Sequence, residues 1–211
     1  MNFKLIIGLG NPGDKYTNTY HNVGFWAIDY FIANYGIFDP QNPLLKANWI
    51  KPSLKNFEFV KTDKIIFAKL LGFMNNSGKA AQEAIKYFRL KPKDILIIHD
   101  DSDIYIGNYK FSFDRGAAGH HGIENIVKML KTENFWRLRI GIRPPQTTTD
   151  PTQTNADKIP RESAINRKIR VNPRLKAGEF VLKNITAARQ KTFQMIFGDA
   201  AKKIKDLQIK R

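Results

Sequence analysis

Four histidines occur in this chain, His21, His99, His120 and His121, and each sits in a Gly-, Asn- or Asp-rich segment at the edge of an apolar pattern. An imidazole exchanges a proton near neutral pH, and a carboxylate accepting from one ring nitrogen decides which tautomer is present. Asp100, Asp101 and Asp103 come directly after the apolar run Ile95 to His99 and supply such carboxylates. Three uses are open to them: binding a divalent metal, capping the next turn, or orienting a histidine. Capping is the expectation for Asp101 and Asp103. His99 continues the apolar run and reads as structural, its ring bonded at a sheet edge. A metal site built from Asp100, Asp101 and His120 has little support, because neither metalloprotease nor EF-hand spacing occurs.

Amides complete the polar set. Asn11 and Asn22 flank His21, and Asn75 and Asn76 lie in the segment GFMNNSG, where one can cap a helix and the other can hold a carbonyl or a water. The loop GAAGHHG, ahead of an apolar periodic stretch, can bring backbone N–H groups close to an anion. Cysteine is absent, and the chain has no Gly-x-Ser-x-Gly elbow, Ser-x-x-Lys or P-loop. The expected nucleophile is therefore water, activated by a histidine that an aspartate supports.

Gly8, Gly10 and Gly13 spell G-x-G-x-x-G after the first apolar run, which raises the possibility of a dinucleotide cradle. That cradle requires its last glycine to open a helix. Asp14 to Asn22 is polar and aperiodic, so the first helix starts later, with Asn22 as its N-cap and Val23 to Phe31 as its apolar face. The glycines shape a loop that ends at His21.

The elements that must hold these groups alternate. Apolar β-branched runs occur at Lys4 to Ile7, Lys64 to Leu70, Asp94 to His99 and Arg137 to Ile142; helical periodicity occurs at Val23 to Tyr35, Gly78 to Leu90, Ile123 to Leu130 and Ala187 to Phe197. This order predicts an α/β fold, a three-layer sandwich whose twisted, mostly parallel sheet carries helices on both faces. The 211 residues suit a single domain spanning 1–211. Gln146 to Pro160 is polar and broken by proline, and the basic stretch after it, to about residue 177, reads as an insertion or lid. Lys202 to Arg211 reads as a frayed basic helix end.

The formal net charge is +16, and from Lys158 to Arg211 fifteen Lys or Arg stand against four Asp or Glu. Such an excess predicts a polyanionic partner, nucleic acid before membrane. The absence of cysteine fits a reducing compartment, and no stretch approaches the roughly 20 apolar residues of a membrane span. The expectation is a cytoplasmic protein acting on an RNA-linked substrate by hydrolysis.

The blocks GLGNPGDKYTNTYHNVGF, GFMNNSG, ILIIHDDSDIYIG, GAAGHHGIENI, FWRLRIGIRPP and GEFVL follow one another between Leu5 and Leu182. In content and order they resemble the bacterial-type peptidyl-tRNA hydrolase family. The resemblance implies cleavage of the ester between a peptide and the 3′-terminal ribose of tRNA, by a monomer without metal or organic cofactor and without a membrane partner. Under it His21 matches the base that deprotonates water, and Asp100 the carboxylate that fixes its ring. Asn11 and Asn75 match amides that position the peptide and the water or carbonyl. Tyr16 and Met74 match pocket residues beside the peptide end, His120 the histidine of the glycine-rich loop, and Arg139 an arginine implicated in gripping tRNA phosphate. The chain departs from the family pattern at four places. His121 stands where asparagine is usual, Tyr20 replaces the arginine before the catalytic histidine, Leu70 and Gly72 interrupt a Pro-x-Thr, and Ser112 replaces a lysine for which Lys110 and Arg115 can substitute. A noncatalytic RNA-binding relative of the same fold is the competing reading.

Overall fold

The computed structural model describes residues 3–41, 48–144 and 180–209. The expected insertion at 146–177 and the last two basic residues lie outside them.

Six strands form one sheet in the order β2-β3-β1-β4-β6-β5: β1 (Leu5–Gly8), β2 (Phe57–Lys61), β3 (Ile66–Leu70), β4 (Ile95–Tyr105), β5 (Tyr109–Phe113) and β6 (Trp136–Arg143). Neighbouring strands among β3, β1, β4 and β6 run parallel, and the two edge strands β2 and β5 are antiparallel. Helices α1 (Val23–Ala33) and α4 (Ala187–Ile209) cover one face; α2 (Ser77–Tyr87) and α3 (His121–Leu130) cover the other. The mixed, mostly parallel α/β sheet is the expected one.

Burial on both faces explains why the inner strands read as unbroken apolar runs. Ile6, Leu96 and Ile98 point into the core beneath α1 and α4, while Leu5, Ile7, Ile95 and Ile97 point into the core beneath α2 and α3. In β2, by contrast, Glu58 interrupts the apolar residues of FEFVK, and Lys110 and Ser112 do so in β5. Edge strands half open to water alternate in this way.

Two boundaries and one cap depart from expectation. β4 runs on to Tyr105, because its backbone stays paired with β6 through Asp100 and Asp101. His99 and Asp100 therefore lie inside an interior strand and not beyond it or at a sheet edge. α4 continues to Ile209, with Ala200, Ala201 and Ile204 buried against the sheet, so most of the expected frayed end is docked helix. Asn22 occupies the N-cap position of α1 but gives the helix no side-chain bond.

Between β1 and β4 the chain switches direction across the sheet, since β3 lies to one side of β1 and β4 to the other. Crevices open at the carboxyl ends of strands at such a point. α1 is pressed against this place through Gly24, where an added Cβ would stand 2.5 Å from the carbonyl oxygens of Ile98 and Leu9. Gly24→Ala is expected to lower stability by about 1–3 kcal/mol, read as a fall in Tm, since backbone on both sides prevents the clash from relaxing.

Candidate active site

The loop after β1 is knit by one asparagine pair. Asn22 Oδ1 accepts from the backbone N–H of Asn11 at 2.8 Å, and Asn22 Nδ2 donates to the Asn11 carbonyl at 3.0 Å. Both residues are buried, so these bonds fix the two ends of the loop against each other. This is why Asn22 does not cap α1: its amide is used across the loop. Asn11 Oδ1 in turn accepts from Met74 N–H at 2.9 Å, which ties the loop to the segment between β3 and α2.

His21 ends that loop, and its backbone is held from a distant part of the chain. His21 N–H donates to the Val181 carbonyl at 2.8 Å, and Tyr20 N–H donates to Lys183 at 3.3 Å. Tyr20, buried beside Phe180 and Phe193, accepts a bond from Arg189 of α4. An arginine from the last helix thus meets the tyrosine that departs from the family pattern. The sequence carried no local signal for this pair, 169 residues apart.

The imidazole of His21 reaches β4. Its Nδ1 lies 2.9 Å from Asp100 Oδ1, with the His21 side chain 15% exposed and that of Asp100 3%. The same oxygen receives a second imidazole, His120 Nε2, at 3.0 Å. The tautomers follow from these partners. Ile123 N–H donates to His120 Nδ1 at 3.3 Å, so that nitrogen is the acceptor and His120 carries its proton on Nε2, toward Asp100. The same bond makes His120 the side-chain N-cap of α3. Asp100 has no proton to offer, so His21 donates from Nδ1 and keeps an acceptor lone pair on Nε2.

Electrostatics agree with that assignment. Burial pushes the Asp100 carboxyl upward, but the neighbouring His120 and His21, by charge and by hydrogen bond, outweigh it and hold the group far below the usual carboxylate range. For His21, burial pushes downward, while the charge and hydrogen bond of Asp100 push upward and prevail, so its pKa is raised. His99 lies beneath. Its Nδ1 is 2.6 Å from the Asp100 carbonyl, its ring meets that of His120 edge-on at 4.7 Å, and its Nε2 is buried without a partner. Burial and the neighbouring His120 push its pKa well below the ordinary value, so it stays neutral and structural, as expected.

These groups open into a pocket of about 200 Å³ lined by His21, Asp100, Ser102, Gly119, His120 and Val181, among others. His121 lies on its rim with its side chain 82% exposed and Nδ1 3.1 Å from Glu124. Tyr16 packs edge-on against exposed Phe73, and Met74 is buried below Gly122. Asn75 is exposed in the turn before α2. The N-terminal N–H of Gly78 in α2 is capped by Asn125 of α3, a non-local partner, while Asn76 at the N-cap position gives the helix no side-chain bond.

Asp101 and Arg139 are bound to each other. Arg139 Nε donates to Asp101 Oδ2 at 2.6 Å, while Asp101 Oδ1 accepts from Asp103 N–H at 2.8 Å. Lys110 stands opposite Arg139 in the β5–β6 register, and both it and Arg115 are exposed. The trio Asp100, Asp101 and His120 is thus not assembled as a metal site. Among the described residues, His21, Asp100 and His120 do offer ligand atoms within 4.8 Å of one another. Their fit to an ion is poor, because both imidazole N–H groups already donate to the one carboxylate oxygen and would have to leave it.

A family model described as peptidyl-tRNA hydrolase matches residues 5–156. The chain belongs to the peptidyl-tRNA hydrolase family. A peptidyl-tRNA hydrolase of Lactobacillus johnsonii is 41% identical over 143 residues, covering 68% of this chain and 74% of the relative. One of Mycoplasma capricolum is 40% identical over 145 residues, covering 67% and 73%. The crystal structure of the peptidyl-tRNA hydrolase from Acinetobacter baumannii superposes with a TM-score of 0.70 at 26% identity, covering 98% of this chain and 89% of that one. His21 and Asp100, the imidazole–carboxylate pair at the sheet crevice, both fall within the matched residues 5–156.

Proposed function

We propose that this protein hydrolyses the ester joining a peptide to the 3′-terminal ribose of tRNA, with water activated by His21. The family supports the reaction, and one geometric observation supports the mechanism: Asp100 holds the Nδ1 side of His21 at 2.9 Å, which leaves Nε2 as the base at a pocket. Water gives its proton to Nε2 as its oxygen attacks the peptide's carbonyl carbon. The tetrahedral intermediate then expels the ribose oxygen, which takes the proton back from the imidazolium. Asp100 remains ionised throughout and stabilises the cation formed beside it.

Asn11 and Asn75 position the peptide and the reacting carbonyl, with Tyr16 and Met74 beside the peptide end. Lys110, Arg115 and the Nη groups of Arg139 meet tRNA phosphates, while Asp101 fixes the Arg139 stem. His120 and His121 border the acceptor end. The whole chain acts as a monomeric domain in the cytoplasm. No helix among the described residues is long and apolar enough to cross a membrane.

Release of free tRNA from a peptidylated tRNA tests the proposal, with and without excess chelator. The rate is expected to be the same in both. Loss of activity with chelator would replace the water–histidine mechanism by one using an ion on His21, Asp100 and His120.

A further inference from the structure

The largest fully buried side chain among the described residues is a cation, Arg137 of β6, at 1% exposure. A guanidinium in that position must be satisfied by specific acceptors. Nη1 donates to the Gly116 carbonyl at 3.0 Å and Nη2 to the Arg115 carbonyl at 2.6 Å, while Nε is buried without a partner. Both acceptors belong to the loop between β5 and α3, 114–120. Asp114 and Ala118 lie at φ 50°, in the left-handed region that costs a non-glycine residue on the order of 1–2 kcal/mol. Such a loop keeps one shape only where its surroundings over-determine it. It is held at one end by Arg137 and at the other by His120, which donates its N–H to Ala117 at 3.1 Å and its Nε2–H to Asp100 at 3.0 Å.

We propose that Arg137 is a positioning residue for the hydrolysis proposed above: by clamping the carbonyls of Arg115 and Gly116 it fixes the glycine-rich loop so that His120 stays on the carboxylate that orients His21. It touches no substrate. Its effect passes through His120, which is the second donor to Asp100 Oδ1. If the clamp is released, Asp100 is left with one imidazole, and it pulls the proton onto His21 more strongly.

The test is a cycle of Arg137→Met and His120→Ala in the full chain, with tRNA release as the readout. Arg137→Met alone is expected to lower kcat about ten-fold with little change in KM, and to move the inflection of the kcat pH profile upward. In the His120→Ala background the same change is expected to lower kcat less than about two-fold, because the path it acts through is gone. Arg137→Lys, which keeps the charge and one donor, is expected to recover part of the rate, and it replaces Arg137→Met in the cycle if the latter does not fold. Equal losses in both backgrounds, a change in KM alone, or no change would overturn the proposal. Exchange protection of the His120 Nε2 proton, seen by NMR and lost in the Arg137 variant, gives a readout independent of turnover. A wild-type chain that releases no tRNA would sink the proposed reaction, while this NMR readout would still decide whether Arg137 holds His120.

Discussion

Replacing His21 with alanine is expected to lower kcat for tRNA release by roughly 10²–10⁴-fold, with the Kd for tRNA changed less than about two-fold. The size follows from what the ring does. Without it, water must attack the ester carrying its own proton; His121 also has a carboxylate, Glu124, at its Nδ1, but it lies on the rim with its side chain 82% exposed and makes no contact with Asp100. His120 cannot take over, because its Nδ1 accepts from Ile123 N–H and its Nε2 donates to Asp100. His99 cannot either, since it is buried within β4. The affinity for tRNA is expected to persist because phosphate contacts fall to the basic side chains. Single-turnover release and filter binding, measured on the same preparation, separate the two effects. Full turnover in the variant would remove the imidazole from the mechanism, and lost binding with retained kcat would reassign it to grip.

What the sequence made legible here follows the reach of each interaction. The four inner strands and four helices could be read because burial on both faces of a sheet, or on one face of a helix, leaves a periodic trace in neighbouring residues. FEFVK and YKFSF could not be found by searching for apolar runs, since an edge strand interleaves charge with packing. The types of the site residues were legible too, and so was the pairing of His21 with Asp100, through its resemblance to the family. Their remaining partners were not. Asp101 binds Arg139, 38 residues away, and the second donor to Asp100 is His120, 20 residues away. Asn22 shows how a local rule yields: an asparagine ahead of a helix normally caps it, but here its amide is taken up by both polar groups of the buried Asn11 backbone.

Asp100→Asn separates charge from geometry at the same atoms, and its expected result is a loss of about 10²–10⁴ in kcat together with a downward move of the pH inflection. In the native chain the charge and hydrogen bond of Asp100 raise the His21 pKa against the downward push of burial. The rate is carried by neutral His21, so it should climb with pH through an inflection above the ordinary imidazole value of about 6.5 and then level off. With an amide at position 100, the attractive charge is gone and burial is unopposed, so the inflection is expected below that value. The base would then be deprotonated over a wider pH range, yet slower. It would be less basic, its imidazolium would have no counter-charge as the water proton arrives, and the amide could turn its NH₂ toward His21 and impose the wrong tautomer. Stability should change in the matching sense. A carboxyl depressed by folding contributes stability above its unfolded pKa and loses it as pH falls through the folded value. A histidine raised by folding contributes below its unfolded pKa and loses it as pH rises through the folded one. Both contributions run through the Asp100 carboxylate, which His120 contacts at 3.0 Å and His21 at 2.9 Å, so the variant's Tm should lose its advantage across the window between these two titrations. A kcat profile for Asp100→Asn whose inflection stays above the ordinary value would mean that something other than this carboxylate sets the basicity of His21.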